Sequence, residues 1–130
     1  MWYLADKAAP NADAVLERLL SEPELFAVPE LFFFEVLAVL SRTHPDYGRV
    51  YTEAFLPATE SGMLRYPMTE TLARGCAAFV ASGLTGYDAA YAALARELGG
   101  VWLTFDSEAH QAIAAAGVSW DLRESLPRDW

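Results

Sequence analysis

Three carboxylates stand in this sequence where their charge calls for an explanation. Glu35 interrupts the apolar run from Leu31 to Leu40, where an ionised side chain without compensation would be costly to desolvate. Asp88 falls in the opening turn of a candidate helix, and Asp106 directly follows a candidate strand, Val101 to Phe105. Each has an ordinary reading as well: an ion pair or a solvent-facing helix side for Glu35, a favourable helix-dipole position for Asp88, an N-cap for Asp106. Taken together they suggest a common crevice, because ligands of α/β sheets gather beyond the carboxyl ends of the strands. Carboxylates gathered there repel one another unless a cation lies between them, and a hard divalent ion such as Mg²⁺ or Mn²⁺ suits their oxygens. Such an ion orients a water, lowers its pKa and neutralises charge at a phosphodiester, so neither Glu nor Asp needs to act as a covalent nucleophile.

Other site chemistries find less material. His44 and His110 have no second His or Cys at ligand spacing, which disfavours zinc. Cys76, in an Ala-rich segment, reads as a small buried hydrophobe, and neither a Gly-x-Ser-x-Gly elbow nor a Gly-rich phosphate loop occurs. Trp2, Trp102, Trp120 and Trp130 read as packing residues.

The elements that must position the carboxylates follow from periodicity and punctuation. Pro10 opens a helix carrying Val15, Leu16, Leu19 and Leu20, which Glu22-Pro23 ends; Leu25 to Val28 reads as a short strand. Pro29 to about Arg42 reads as a helix apolar on every side, the pattern of a buried helix, and His44-Pro45-Asp46 breaks it. Asp46 to Phe55 reads as helical, Met63 to Tyr66 as a strand, and Thr69 to Ala81 as a helix capped by Thr69. The clearest helix is Thr85 to Leu98, with a Thr85/Asp88 capping box, a stripe of Tyr87, Tyr91, Leu94 and Leu98, and Gly99-Gly100 at its end. Its alanines Ala89, Ala92 and Ala95 leave room for another element. Asp106-Ser107 starts a helix to Ala116, and Val118 to Leu122 reads as a last strand. Short strands alternating with helices predict an α/β layer structure with a mostly parallel sheet.

The 130 residues suit one compact domain, and 54% of them are hydrophobic. A net charge of −9 disfavours tight non-specific binding of nucleic acid by the free protein, though carboxylates that hold cations reverse the local field. One cysteine excludes an internal disulfide and fits a reducing, cytoplasmic setting. The longest apolar run is far shorter than the ~20 residues of a membrane span, and the N-terminus lacks the basic-then-apolar order of a signal peptide.

In order along the chain, Val28-Pro29-Glu30-Leu31 with Glu35-Val36-Leu37, then Leu84-Thr85-Gly86-Tyr87-Asp88-Ala89-Ala90-Tyr91, then Leu103-Thr104-Phe105-Asp106 resemble the PIN-domain family. More narrowly they look like the VapC toxin ribonucleases of virulence-associated toxin–antitoxin pairs. The resemblance covers nearly the whole chain. It implies a three-layer α/β sandwich with a mostly parallel central sheet flanked by helices. It also implies Mg²⁺ or Mn²⁺ held by Glu35, Asp88 and Asp106, with Thr104 as a hydroxyl beside the site. The implied partners are an RNA substrate, a small antitoxin protein and a second copy in a homodimer.

The front departs from the family's pattern, which opens with a central strand ending in an Asp. Either Met1-Trp2-Tyr3-Leu4-Ala5-Asp6 is the short helix that follows that Asp, the sequence then starting inside the domain, or Trp2 to Ala5 is the strand and Asp6 the first carboxylate. Two further function classes stay open. One is a PIN-fold interaction module, impaired in catalysis, that acts through its apolar helices by dimer or partner binding. The other is an Mg²⁺-dependent phosphohydrolase of small molecules.

Overall fold

A computed structural model describes residues 10–130. The chain divides between Tyr66 and Pro67 into two compact units. The Met1 to Asp6 readings, with the strand expected there, lie outside the described residues.

In the first unit, helix α1 (Pro10–Ser21) buries Ala12 and Val15 and leads through a tight turn at Pro23–Leu25 into strand β1 (Ala27–Pro29). Helix α2 (Leu31–Thr43) follows; then come a short helix α3 (Tyr47–Arg49), a π-helical turn (Val50–Phe55) and helix α4 (Leu56–Thr59). Strand β2 (Leu64–Tyr66) returns parallel to β1 in the register Ala27↔Leu64, Val28↔Arg65, Pro29↔Tyr66. The strand expected at Leu25 to Val28 thus starts two residues later and ends one residue later, and Pro29 belongs to it instead of opening α2. The cause is backbone pairing: Leu64 N–H donates to the Phe26 carbonyl at 2.9 Å and Glu30 N–H to the Tyr66 carbonyl at 3.1 Å. A proline at the end of a strand forfeits no ladder bond.

Val28, Phe33 and Met63 form one core cluster of this unit, with Leu19, Phe26, Phe32, Phe55 and Leu56 packed on it. The rings of Phe32 and Phe33 meet edge to face at 5.7 Å, and Phe55 stacks on Tyr51 at 5.3 Å. Against expectation, α2 is not buried on all sides. Phe33, Val36 and Leu40 form its one buried stripe, while Phe34 is 70% exposed. A single face suffices because β1, β2 and the π turn supply one surface to pack on.

The second unit comprises α5 (Glu70–Ala81), α6 (Gly86–Leu98), β3 (Trp102–Thr104), α7 (Ser107–Ile113) with a closing turn Ala114–Ala116, and β4 (Ser119–Asp121). Thr69 and Thr85 cap α5 and α6 by accepting the N–H of Leu72 and of Asp88, and α6 ends on Gly99 in the left-handed conformation. The buried side of α6 is Ala89, Ala90, Ala92, Ala93, Leu94 and Ala95, which corrects the expected stripe: Tyr87 and Leu98 are exposed. Alanines permit closer backbone approach than aromatics. A Cβ on Gly75 of α5 would stand only 3.2 Å from the Ala93 Cβ.

Strand β3 pairs parallel with β4 in the register Trp102↔Ser119, Leu103↔Trp120, Thr104↔Asp121. The architecture is thus α/β with short parallel strands. Among the described residues the hydrogen-bonded strands are the parallel pairs β1-β2 and β3-β4. Each strand is only three residues long, so each pair ends where its crossover helix begins.

Candidate active site

Two of the three expected carboxylates meet in the second unit. Asp88 is the third residue of α6, and its N–H is fixed by the Thr85 hydroxyl at 3.1 Å. Asp106 caps α7: its Oδ1 accepts the Ala109 N–H at 3.0 Å, and its own N–H donates to the Thr104 hydroxyl at 3.0 Å. Thr104 ends β3 and is buried, so its side chain pins the turn that carries Asp106. Both carboxylates thus sit where a strand or loop gives way to a helix N-terminus, a favourable position for negative charge.

The two charges act on each other. Burial is the main force holding the Asp88 carboxyl above its ordinary range; a side-chain hydrogen bond with Thr85 works against this, and the negative charge of Asp106 adds to it. A half-buried, proton-retentive carboxyl beside a second, exposed one is an arrangement that a cation relieves.

Glu35 lies in the first unit, in the middle of α2, half-buried and with its Oε1 fully buried. Among the described residues no three His, Cys, Asp or Glu side chains gather closely enough to hold an ion. The Asp88 and Asp106 pair still fits a hard cation, since Mg²⁺ is commonly held by one or two carboxylates, with water and substrate phosphate completing its shell. Asp6 lies outside the described residues.

A further carboxylate escaped the sequence reading. Asp121 closes β4 opposite Thr104 and is 7% exposed. Its Oδ1 accepts the Arg123 N–H at 2.9 Å, and Arg123 Nε donates to the Phe105 carbonyl, tying the ends of β3 and β4 together. The available signal was its place at the end of a strand, as with Asp106, but the short run Ser119–Asp121 gave little alternation to read.

The remaining reactive side chains have local work. His44 Nδ1 accepts the Asp46 N–H at 3.1 Å within its turn, and His110 Nδ1 lies 2.8 Å from the Ser119 hydroxyl, joining α7 to β4. Burial pushes the Cys76 thiol up, away from the thiolate a nucleophile requires. Trp102 stacks on Tyr91 with ring centroids 6.2 Å apart, and Trp120 Nε1 donates to the Ser125 carbonyl at 2.9 Å. No described helix is long and apolar enough to cross a membrane.

No curated protein matches the chain. A family model described as PIN domain matches residues 1–115, a stretch that contains Glu35, Asp88, Thr104 and Asp106. With most of its length covered by that match, the chain belongs to the PIN domain family, whose members are in general nucleases.

Proposed function

We propose that this chain is an Mg²⁺- or Mn²⁺-dependent endoribonuclease of the VapC kind, the toxin of a toxin–antitoxin pair, held in check by a small antitoxin and active as a homodimer in the cytoplasm. The observation that carries this reading is the Asp88 and Asp106 pair: burial chiefly, and the charge of Asp106 in addition, holds the Asp88 carboxyl above its ordinary range. In this reading Glu35 is the third ligand, as the resemblance to the family implies.

A bound divalent ion would supply a water of lowered pKa and offset the charge that develops on the phosphate. The protein's own residues do the positioning. Asp88 and Asp106 offer hard oxygen donors from rigid helix starts, and Thr104 fixes the backbone of Asp106. Thr85 fixes the backbone of Asp88. No side chain of the pair forms a bond to substrate, so loss of either carboxylate reduces the rate without changing the product.

RNA cleavage by the full chain tests the reading. Activity should vanish with EDTA, return with Mn²⁺ and be lost in Asp88→Asn and Asp106→Asn. Cleavage indifferent to EDTA, or undiminished in Asp88→Asn, overturns it. Hydrolysis of a small phosphomonoester with no action on RNA selects the phosphohydrolase reading instead.

A further inference from the structure

At the carboxyl ends of β3 and β4 stands a cation that the fold holds in place and does not neutralise. Thr104 and Asp121 lie opposite each other, and the Leu122 N–H donates to the Thr104 carbonyl at 2.8 Å, so Arg123 leaves β4 where Phe105 and Asp106 leave β3. The Arg123 N–H donates to the buried Asp121 carboxylate at 2.9 Å, and its Nε donates to the Phe105 carbonyl. That carbonyl carbon is bonded to the Asp106 nitrogen, which puts the guanidinium within one residue of a member of the carboxylate pair. Carboxyl ends of parallel strands are also where ligands of α/β sheets gather.

Other arginines of the chain are engaged elsewhere. Arg18, Arg49 and Arg74 each pair with a glutamate four residues away, and Arg65 and Arg96 lie over the rings of Phe33 and Phe79. Arg123 is exposed, and among the described residues it has no carboxylate at ion-pair distance and no acceptor for its terminal amino groups. A tie to one carbonyl needs only a neutral donor. The guanidinium adds a permanent charge and a planar fork that matches the oxygens of a phosphate. Anchored through Nε, that fork has already lost much of the side-chain freedom that binding an anion would otherwise cost. The strand ends therefore offer both signs of charge at once: carboxylates for a metal ion and a guanidinium for an anion.

We infer that Arg123 is a phosphate-binding residue that holds the RNA backbone at the phosphate neighbouring the one presented to Asp88 and Asp106. This deepens the nuclease reading and rests on it for the identity of the ligand. A purely structural tie to Phe105 would alter stability or affinity without altering the response of binding to salt, because only a phosphate contact releases counterions.

The test uses the full chain and a fluorescent, single-stranded RNA oligomer of about ten nucleotides, with Ca²⁺ in place of Mn²⁺ for the binding arm. Arg123→Gln should weaken binding about tenfold and flatten the slope of log affinity against log salt by about 0.7, the share of one phosphate. Arg42→Gln, the same charge change at an exposed position in the first unit, should leave that slope as in wild type. Should Arg123→Gln fail to fold by circular dichroism, Arg123→Lys is read instead; it keeps the charge and should keep the slope, with a smaller loss of affinity. Wild-type affinity in folded Arg123→Gln, weaker binding with an unchanged slope, or a slope lost in Arg123→Lys overturns the inference. Metal-dependent cleavage that needs Asp88 but not Arg123 leaves the nuclease reading standing and removes this one. Binding that needs Arg123, with no metal-dependent cleavage, does the reverse. Absence of both binding and cleavage by the wild type overturns both.

Discussion

From Pro67 onward the helices begin on side chains that accept a backbone N–H, at Thr69, Thr85 and Asp106, whereas Glu30, Asp46 and Arg49, which precede helical segments in the first unit, make no such bond. The first unit relies instead on a knot of rings, Phe32, Phe33, Tyr51 and Phe55, with the Arg65 guanidinium 4.3 Å from the centre of the Phe33 ring. The second relies on alanines at the α5–α6 contact and on polar links at its strand ends. The difference matters for function, because a cap fixes the direction of a particular side chain and a ring cluster does not. The two carboxylates that meet are those placed by capped helices.

Core truncation gives the largest expected effects. Phe33→Ala should cost about 3–5 kcal/mol and Leu122→Ala, at a fully buried site, about 2–5 kcal/mol, both read by denaturant unfolding. A loss below about 1 kcal/mol in Phe33→Ala would break the claim that rings hold the first unit. Next comes the carboxylate pair: Asp88→Asn should lower metal-dependent cleavage by about 10²-fold or more while leaving the fold intact by circular dichroism. It should also abolish any rise in melting temperature on adding Mn²⁺.

Capping sharpens the comparison directly. Thr85→Ala should cost about 1 kcal/mol, while Asp46→Ala, with no cap bond to lose, should stay within about 0.5 kcal/mol of wild type. Equal losses would remove the distinction between the units. The smallest effect is on pH dependence. Because the folded chain holds the Asp88 proton more tightly than the unfolded chain, this contribution favours folding at low pH and is lost as pH rises through the raised value. Wild type should therefore gain stability over Asp88→Asn as the solution is acidified through the carboxylate range, and a loss would reverse the assigned direction.

What could be read from the sequence follows the same division. Thr69, Thr85 and Asp106 announced their helices because capping is local chemistry, written within a few residues. Asp88 and Asp106 were legible as candidates for that reason. The exposure of Phe34 and Tyr87 was not, since it depends on which face of a helix other segments cover. The three-residue strands are too short for alternation, so Pro29 was assigned to the wrong element and Asp121 was passed over. The π turn was invisible for a similar reason: its residues, Val50 to Phe55, suit an α-helix equally well.

That turn also bears on how the chain tolerates change in length. The Leu56 N–H donates to the Tyr51 carbonyl, five residues back, so one more residue is accommodated there than an α-helical turn would hold. Tyr51 is held in turn by its hydroxyl, which donates to the Phe33 carbonyl at 3.0 Å. Removing a single residue between Thr52 and Ala54 would let the turn relax to α-helical spacing without rotating α4 relative to α3. The bulge is thus a joint at which homologous chains can differ by one residue while keeping the helices on either side in phase.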